Sequence, residues 1–360
     1  LHLSVHSFPT RRSSDLAYSV TGVEGQRIIP PPNPLDDMSR GVVLPRRGIA
    51  DTRTLAVRCE DLGYDACWTG ELWGRDAFVT LTSVADAVSR IDLGTAIVNI
   101  FSRSAATLAA AAATLTEIAP AGVRLGIGPS TPKAIEDLHG RAYDRPVRRL
   151  HETAELVAAF TAGEGRVEYD GQTVSVADFP ALDADVPVYT AALGPAARRA
   201  TGRVADGWLP HNIPFPELSS AFETVTETAR DAGRDPDGIT VAPYVPAAVA
   251  DDPDEARDAI RGHLAYYVGS GEGYRRAVAS AFPDEAARIA EAWGEGERGA
   301  ARDAVTEEMV DALGVAGTPD EARERFDAVA SLDVVDHPIV VVPDGVDAER
   351  TDRTIAALAP

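Results

Sequence analysis

The sequence predicts an α/β fold, a parallel (β/α)8 TIM barrel with insertions after its fourth and seventh strands. Short apolar segments alternate with segments of helical period along most of the chain, and eight of the apolar segments suit strands. The 323 residues from Met38 to Pro360 are typical of one such barrel. Two connections between the apolar segments are too long for plain crossovers, and they predict where the insertions lie.

The first four strands and their helices follow from local patterns. Leu55, Cys59 and Leu62 fall on one face of the first helix, and Gly63 ends it. The later helices of this half are apolar or rich in alanine. We predict strands at residues 41–45, 65–69, 93–99 and 123–127, and helices at residues 52–63, 77–89 and 105–118.

The second half of the chain contains the most informative stretch. Residues 186–192 predict an apolar strand that breaks at Gly194-Pro195 and is followed by an alanine- and arginine-rich helix. Free backbone N–H groups at such a helix start can bind an anion. A further short strand ends at His211-Asn212, and strands seven and eight are predicted at residues 239–245 and 338–342.

The two long connections are predicted to shape a pocket. The first, residues 129–185, holds a helix at 145–161 and a hairpin at 167–176 with the turn signature Asp170-Gly171. The second, roughly residues 246–336, holds several helices, including 254–267 and 319–330. Insertions of this length usually lie above the carboxyl face of a barrel.

The first 37 residues are interpreted as a non-native or disordered leader. Residues 7–16 read SFPTRRSSDL, which matches a translated sequencing adapter, and Met38 opens a pattern typical of a protein start. A targeting peptide is the alternative, because Arg11 and Arg12 lie near the front. No apolar segment long enough for a secretory signal follows them. We therefore assign residues 38–360 to one domain.

The charge of the chain excludes some classes of partner. The formal net charge is −22, and Lys133 is the only lysine among 34 basic residues. Such an acidic chain repels nucleic acid and anionic membranes. It resembles proteins of salt-loving archaea, where high salt screens the self-repulsion. A high-GC genome is the alternative reason for arginine in place of lysine, although it does not explain the excess of acids.

Several other chemistries lack their sequence signatures. Cys59 and Cys67 are too few for a disulfide framework and suit a reducing cytoplasm. No apolar run is long enough to span a membrane. No metal-ligand spacing and no GxSxG motif occur, so neither a metal nor hydrolase chemistry is expected. The glycines at 126 and 128 lack the third glycine of a dinucleotide fingerprint, and they indicate a tight turn.

Seven motifs in consistent order resemble the bacterial luciferase-like family of flavin- and deazaflavin-dependent oxidoreductases. They read GVVLP, LAVRCEDLGYDACWTGELW, LGTAIVN with FSRS, RLGIGPS, YDRPVRRLHE, VAGTPDEARERF and DHPIVVVP. Within this family, LGIGP and TAALGP are most similar to the branch that uses coenzyme F420, such as methylene-tetrahydromethanopterin reductases. The resemblance implies hydride transfer between the deazaflavin and a substrate.

The resemblance implies a cofactor site made of residues after strands three, four and five. A non-prolyl cis peptide at Ala96-Ile97 would lie behind the ring, with Asn99 at the carbonyl edge of the ring and Gly128 beneath it. Arg103 is suited to a phosphate or to the oligoglutamate tail, although a surface ion pair is the alternative. The strongest candidates for the cofactor phosphate are the backbone groups of Ala192, Leu193, Gly194 and Pro195.

The candidate catalytic and substrate residues follow other strand ends. Glu71 occupies a pocket rim where many relatives carry an Asp-His pair, so an acid is retained and the imidazole is not. His211 is a plausible acid–base group, since histidine titrates close to neutrality, although a packing role is equally common. Trp73, Asn212 and Tyr244 are the candidate substrate contacts.

Together these features predict a cytoplasmic, dimeric oxidoreductase that uses coenzyme F420. Its substrate is a small molecule, with no nucleic acid or membrane as partner. An anionic cofactor in so acidic a protein requires local positive charge, and Arg103, Arg198 and Arg199 are the candidates. Two alternatives remain open: an FMN-dependent monooxygenase of the same family, and a barrel that binds a flavin or deazaflavin without turnover.

Overall fold

A computed structural model describes residues 39–163 and 165–360. The interpretation of residues 1–37 as a leader lies outside the described residues. Strands in the described part are short and mostly buried. They are β1 Gly41–Val43, β2 Ala66–Thr69, β3 Asp92–Thr95, β4 Val98–Asn99, β5 Val123–Gly128, β6 Arg166–Asp170, β7 Ser175–Pro180, β8 Val188–Thr190, β9 Gly207–Trp208, β10 Thr240–Val241, β11 Tyr244–Val249, β12 Val315–Gly317 and β13 Ile339–Val341.

Helices separate most of these strands. They are α1 Ile49–Asp61, α2 Ala77–Ala85, α3 Ala105–Thr116, α4 Pro146–Thr161, α5 Pro195–Val204, α6 Leu218–Asp231, α7 Pro253–Ser270, α8 Glu272–Val278, α9 Pro283–Glu295, α10 Arg298–Asp303, α11 Glu307–Leu313, α12 Pro319–Ala330 and α13 Ala348–Ala357. A π-helical turn at Ala134–Leu138 and 3₁₀ turns at Phe215–Glu217 and Pro236–Gly238 complete the set. No helix in the described ranges is long and apolar enough to cross a membrane.

The main sheet is parallel and curled. Its strand order is β10-β9-β8-β5-β3-β2-β1-β13-β11-β12, with β4 also paired to β5. The chain at Ala242 and Pro243, between β10 and β11, bonds to two different strands of the sheet. Ala242 N–H donates to Trp208 O in β9 at 2.9 Å, and Ile339 N–H in β13 donates to Pro243 O at 2.8 Å. The predicted α/β class with a parallel sheet is therefore confirmed.

Several predicted boundaries were wrong in detail. The strand predicted at 93–99 is divided into β3 and β4, and the strand at 239–245 is divided into β10 and β11, which runs on to Val249. The connection 246–336 contains an additional strand, β12, which pairs in parallel with β11. Three residues are too few to show a period in the sequence, so β12 could not be separated from the helix that follows it. The predicted hairpin is present as β6 and β7.

The buried apolar residues form three main clusters that match the layers of the fold. The largest lies between the sheet and its helices and includes Leu55, Leu108 and Phe326. A second, which includes Leu264 and Met309, is the core of the helices between β11 and β13. The third, the inner cluster, consists of strand residues that face one another across the curled sheet: Ala66, Trp68, Tyr189, Leu209, Ala242, Tyr244 and Ile339.

Candidate functional site

A cavity of about 420 Å³ opens at the carboxyl ends of several parallel strands. Ligands bind at this edge in parallel α/β folds. Val43, Ala96 and Val341 form an apolar floor that packs against the inner cluster. Helix α7 forms one wall, with Gly262, His263, Tyr266 and Tyr267. Helix α7 belongs to the second long connection and follows β11.

The peptide bond between Ala96 and Ile97 is cis, as the family resemblance implied. It lies between β3 and β4, where Ala96 lines the cavity. Gly70 permits this arrangement, because a Cβ atom at that position would lie 2.9 Å from the carbonyl oxygen of Ala96.

The predicted ring-binding residues lie together. Asn99 and Gly128 are partners in the β4–β5 ladder. A Cβ atom on Gly128 would lie 3.1 Å from the Cβ of Ala191 and 3.2 Å from the Cδ1 of Ile97. Glycine at this position therefore permits the close approach of the cis peptide to the end of β8.

The side chain of Asn99 is mostly occupied by its own loop. Its Oδ1 accepts hydrogen bonds from the N–H groups of Phe101 at 3.0 Å and Ser102 at 2.8 Å. Its Nδ2 lies 3.3 Å from His139 Nε2. The amide therefore orders the turn before α3, and only Nδ2 retains a hydrogen for a ligand.

The turn between β8 and α5 has the geometry that the sequence predicted. Gly194 is the N-cap of α5 and Pro195 its first residue. The N–H groups of Ala197 and Arg198 both donate to Gly194 O at 3.0 Å. Within the described ranges, the N–H groups of Gly194 and Ala196 have no recorded acceptor, and they are the groups that a helix start offers to an anion.

Arg198 is held beside this turn by two backbone carbonyls and has no carboxylate partner among the described residues. Its Nε donates to Leu193 O at 3.0 Å and its Nη1 to Ala221 O at 2.9 Å. The guanidinium therefore holds the turn in place. Ala192 is fixed as well, because its carbonyl accepts from Trp208 Nε1 at 2.7 Å. Arg199, by contrast, is exposed.

Glu71 and Arg103 bind each other. Arg103 donates to the carboxylates of Glu71 and Asp76, and Asp76 also caps α2 by accepting from Val79 N–H at 3.0 Å. Burial lowers the pKa of Arg103, but the two carboxylates outweigh it and raise that pKa above its usual value. The side chains of Glu71 and Arg103 are 9% and 18% exposed. An anion would have to displace a carboxylate to reach this guanidinium.

Trp73 lies at the rim of the cavity. Its side chain is 45% exposed, and its Nε1 donates to the hydroxyl of Tyr266 at 3.3 Å. This bond connects the loop after β2 to helix α7. Trp73 is thus held next to two lining residues, Leu72 and Tyr266, without itself lining the cavity.

A pair of buried histidines lies at the inner side of α7. The Nε2 atoms of His211 and His263 are 3.1 Å apart. Burial lowers the pKa of His263 to about 3. Burial, and then the neighbouring His263, hold the pKa of His211 well below its usual value. Both rings are therefore neutral at pH 7.

Tyrosines surround this histidine pair. The ring centroid of His211 lies 5.0 Å from Tyr244, 4.5 Å from Tyr267 and 5.5 Å from Tyr274, all edge-on. Edge-to-face packing suits rings at these separations. Helix α8, which carries Tyr274, also reaches the β8–α5 turn, since a Cβ on Gly273 would lie 3.7 Å from Leu193 Cδ1.

Asn212 and Tyr244 carry buried polar atoms without partners. Both polar atoms of the Asn212 side chain and the hydroxyl of Tyr244 have no hydrogen-bond partner among the described residues. Asn212 also has a φ of 58°, in the left-handed region that side chains other than glycine rarely adopt. Unpaired buried polar groups and uncommon backbone conformations are typical of ligand sites.

The sequence reasoning missed His263, Tyr267 and Tyr274. The helix prediction at 254–267 included the first two residues but not the chemistry of that helix. Tyr266-Tyr267 following His263 at helical spacing was the available signal, since i and i+4 residues share a helix face.

Three arginines that were not predicted line the cavity mouth. Arg46, Arg47 and Arg75 all contribute to the lining. Arg46 is paired with Asp344 and Arg47 with Asp352, whereas Arg75 has no carboxylate partner in the described ranges and its Nη1 donates to the carbonyl of Arg47 at 2.7 Å. These side chains lie closer to the cavity than Arg198, and they provide positive charge at its entrance.

A second cavity, of about 440 Å³, lies at the opposite edge of the sheet, at the amino ends of the strands. His337 lines it, with Nε2 3.3 Å from Trp68 Nε1 and Nδ1 2.7 Å from Ser39 Oγ. Because the indole N–H can only donate, Nε2 accepts and the proton lies on Nδ1. Both ring nitrogens are therefore used in holding the structure together. Residues at this edge of a barrel usually serve stability.

No cluster of three or more potential metal-ligating side chains occurs within the described ranges.

A family model described as luciferase-like monooxygenase matches residues 29–336. The chain is 30% identical to a 5,10-methylenetetrahydromethanopterin reductase from Methanolobus tindarius over 82% of this chain and 91% of that protein. It is 26% identical to a putative coenzyme F420-dependent oxidoreductase from Mycobacterium tuberculosis over 84% of this chain and 93% of that protein.

A solved structure is similar over nearly the full length. The coenzyme F420-dependent tetrahydromethanopterin reductase from Methanopyrus kandleri superimposes with a TM-score of 0.75 and 26% identity. The match covers 90% of this chain and 97% of that one. The likeness therefore includes the sheet, the helices and the segments that form the cavity.

Proposed function

Because the chain belongs to the luciferase-like monooxygenase family, we propose that it is an oxidoreductase that transfers a hydride between coenzyme F420 and a small organic substrate. The match of the family model confirms the family predicted from the sequence. The observation that carries the proposal is the cavity at the carboxyl ends of the parallel strands, in a chain similar over its length to reductases that depend on this coenzyme. We also propose that the curled sheet is a (β/α)8 barrel with insertions after strands four and seven.

The residues around the cavity fit a bound deazaflavin. Gly128, beside Ile97 and Asn99, carries no Cβ atom, so a flat ring would lie against bare backbone there. The N–H groups of Gly194 and Ala196 at the start of α5 suit the phosphate. When bound, the coenzyme supplies the hydride and the protein supplies binding, orientation and electrostatics.

The side chains of the cavity would orient the reactants and exclude water. The Trp73–Tyr266 hydrogen bond ties the loop after β2 to α7, and Tyr267 and His263 line the wall from α7. Exclusion of water strengthens each remaining polar interaction. The Glu71–Arg103 pair would keep the loop after β2 in place, and Glu71 would act on a proton only if Arg103 releases it.

The positive charge at the mouth suits the anionic parts of the coenzyme. Arg46, Arg47 and Arg75 lie there, in a chain of net charge −22. Arginine binds carboxylates and phosphates well because its donors form a planar fork. We propose these three residues as further sources of positive charge, beside Arg198 and Arg199.

A binding titration tests the function directly. Residues 38–360 in molar KCl would be titrated with the deazaflavin and with FMN, and tryptophan fluorescence would report binding. We expect tight binding of the deazaflavin and weak binding of FMN. Preference for FMN, with oxygen consumed by the reduced flavin, would instead support the monooxygenase. Binding of the deazaflavin without hydride exchange to any acceptor would support a non-catalytic binder.

The homodimer, the cytoplasmic location and the halophilic origin stay predictions. Light scattering on the purified chain would give the mass of one or of two chains. A monomer at micromolar concentration would contradict the dimer.

A further inference from the structure

The hydrogen bond between His211 and His263 couples the tautomers of the two rings. Their Nε2 atoms are 3.1 Å apart, and burial keeps both rings neutral at pH 7. Two neutral imidazoles joined through their Nε2 atoms hold one proton between them. The ring that accepts must therefore carry its own proton on Nδ1.

This arrangement lets the cavity wall donate or accept a hydrogen bond. If His211 donates through Nε2, His263 carries a proton on Nδ1 and can donate it to a ligand. If His263 donates, its Nδ1 is a free acceptor. His263 lines the cavity, and Nδ1 has no recorded partner in the described ranges. Both states of the pair have the same net charge.

Asn212 and Tyr244 extend the pair with further polar atoms. The amide of Asn212 can donate and accept, as can the hydroxyl of Tyr244, and both are buried without partners. Tyr244 belongs to the inner cluster, against which Ala96 of the cavity floor also packs. An unpaired buried polar group costs about 1–3 kcal/mol, so a ligand that supplies the missing bonds recovers this energy.

The surroundings of this cluster offer no charge to a ligand. Glu71 is bound to Arg103, and the arginines that line the cavity lie at its mouth, where Arg46 is paired with Asp344. The rings around His211 are uncharged at pH 7, because burial raises the pKa of Tyr244, Tyr267 and Tyr274. A carboxylate or ammonium group buried here would lack a counter-charge, which is unfavourable.

We propose that His211 and His263, with Asn212 and Tyr244, recognise an uncharged oxygen of the hydride acceptor, a carbonyl in its oxidised form and a hydroxyl in its reduced form. The proposal rests on the function proposed above and deepens it. His263 donates to the carbonyl and accepts from the hydroxyl at the cavity wall. Asn212 and Tyr244 lie behind this wall, outside the cavity lining, and they bond to the same oxygen once the bound acceptor opens a path to them. The site therefore binds both members of the redox pair and excludes charged analogues.

Nuclear magnetic resonance of histidine labelled with ¹⁵N tests this directly. The probes are cyclohexanone, cyclohexanol and cyclohexanecarboxylate, which share one ring and differ in the polar group. We expect saturable shifts of the His263 and His211 nitrogens with the first two probes and none with the carboxylate. We also expect opposite tautomers of His263 with the ketone and the alcohol. Equal binding of the carboxylate, or no shift with either neutral probe, would overturn the proposal.

Two variants separate recognition from folding. Tyr244→Phe removes a hydroxyl that has no partner, so thermal stability should not decrease, while affinity for both neutral probes falls about tenfold. His263→Asn should abolish the tautomer change. His151→Asn and Tyr169→Phe, which lie on α4 and β6 outside the cavity lining, are the matched controls and should leave probe affinity unchanged. Unaltered affinity in Tyr244→Phe and His263→Asn would contradict the proposal.

The same proteins distinguish this proposal from the function it rests on. Each of these proteins would also be titrated with the deazaflavin, and the control His151→Asn should bind it as tightly as wild type. If the neutral probes bind and the deazaflavin does not, the proposed function is wrong and the oxygen site stands. If the deazaflavin binds and the probes do not, the oxygen site is wrong and the function stands.

Discussion

At the scale of single residues, the site contains buried polar groups that have no hydrogen-bond partner among the described residues. Asn212 keeps a left-handed backbone and an unpaired amide, and Tyr244 keeps an unpaired hydroxyl. Other buried side chains are paired, as with Thr190 and Thr201, whose hydroxyls lie 2.8 Å apart, and only a few further atoms, such as Ser102 Oγ, lack a partner in the described ranges. Such costs are accepted at binding sites, where a ligand completes the bonds.

Asn212→Gly should therefore stabilise the free protein and weaken the site. Glycine adopts a φ of 58° without steric cost, and the change removes a buried amide without partners. We expect about 1 kcal/mol higher stability in urea unfolding. Affinity for the ketone probe should fall. Asn99→Gly is the contrast, since that amide has three partners and its loss should destabilise the chain.

Three buried histidines predict how stability depends on pH. Burial lowers the pKa of His211, His263 and His337 in the folded state. The unfolded chain therefore binds more protons below pH 6.5, and stability present at pH 7 is lost as the pH falls from there. For His263, whose folded pKa is about 3, the loss of stability at pH 5 should be about 2 kcal/mol. Urea unfolding between pH 7.5 and pH 5 measures the slope, which His337→Gln should reduce; a flat profile would contradict the buried neutral rings.

At the scale of elements, one buried carboxylate holds the hairpin of the first insertion. Glu152 on α4 accepts from the N–H groups of Gln172, Thr173 and Val174, and from the Thr173 hydroxyl at 2.6 Å. Burial raises the pKa of Glu152, but these bonds outweigh it and lower the pKa below its usual value. Gly171 permits the close approach, because a Cβ there would lie 2.7 Å from Glu152 Oε2.

Glu152→Gln should loosen the β6–β7 turn. An amide cannot accept from all of these donors, so about 1–3 kcal/mol should be lost locally. Hydrogen exchange at the amides of Gln172, Thr173 and Val174 should accelerate. In the wild type, the same loosening should appear as the pH falls through the folded pKa of Glu152, which lies below its usual value. Glu168→Gln, on the exposed face of β6, is the control, and equal exchange in both variants would contradict this role.

The elements also show which parts of the fold the sequence predicts. The helix predicted at 319–330 is α12 to the residue, because a capping box at Thr318 and Glu321 marks its start. Strand ends were less predictable, since β9 and β10 have two residues each and carry no period. Their limits come from pairing with neighbours, which is a property of the assembled sheet.

The same reasoning applies to the candidate site. Its strand-end residues could be predicted, because parallel strands place their carboxyl ends at one edge. His211, Asn212 and Tyr244 indeed lie together. His263 could not be predicted, because it comes from a helix 52 residues later in the chain than His211, and nothing local indicates how an insertion folds back. Arg103 was ambiguous for a related reason, since only the structure shows that Glu71 and Asp76 bind it.

At the scale of the whole molecule, net charge and ion pairs act in opposite directions. The chain carries a net charge of −22, so its carboxylates repel one another. Many arginines form ion pairs at the surface, such as Arg325 with Asp311, and salt weakens these. Exposed pairs contribute only about 0.2–1 kcal/mol each, and many contribute nothing measurable. Self-repulsion should therefore decide the response to salt.

Stability should rise with potassium chloride. The screening length falls from about 10 Å at 0.1 M to about 3 Å at 1 M, which removes repulsion between distant carboxylates before it affects close pairs. We expect the melting temperature to increase by at least about 5 °C between 0.1 M and 2 M, given that about 1 kcal/mol corresponds to a few degrees in a chain of this size. Chloride is preferable to sulfate, which strengthens apolar burial in any protein.

A variant with fewer acids separates charge from other salt effects. Glu223, Glu227 and Glu291 are exposed, and their replacement by glutamine changes the net charge from −22 to −19. This variant should melt higher than wild type at 0.1 M and gain less from added salt, because less repulsion remains to be screened. If the wild type instead loses stability with salt, the arginine–carboxylate pairs outweigh the net charge. The acidic composition would then be no adaptation to high salt, and the halophilic interpretation of the sequence would be wrong.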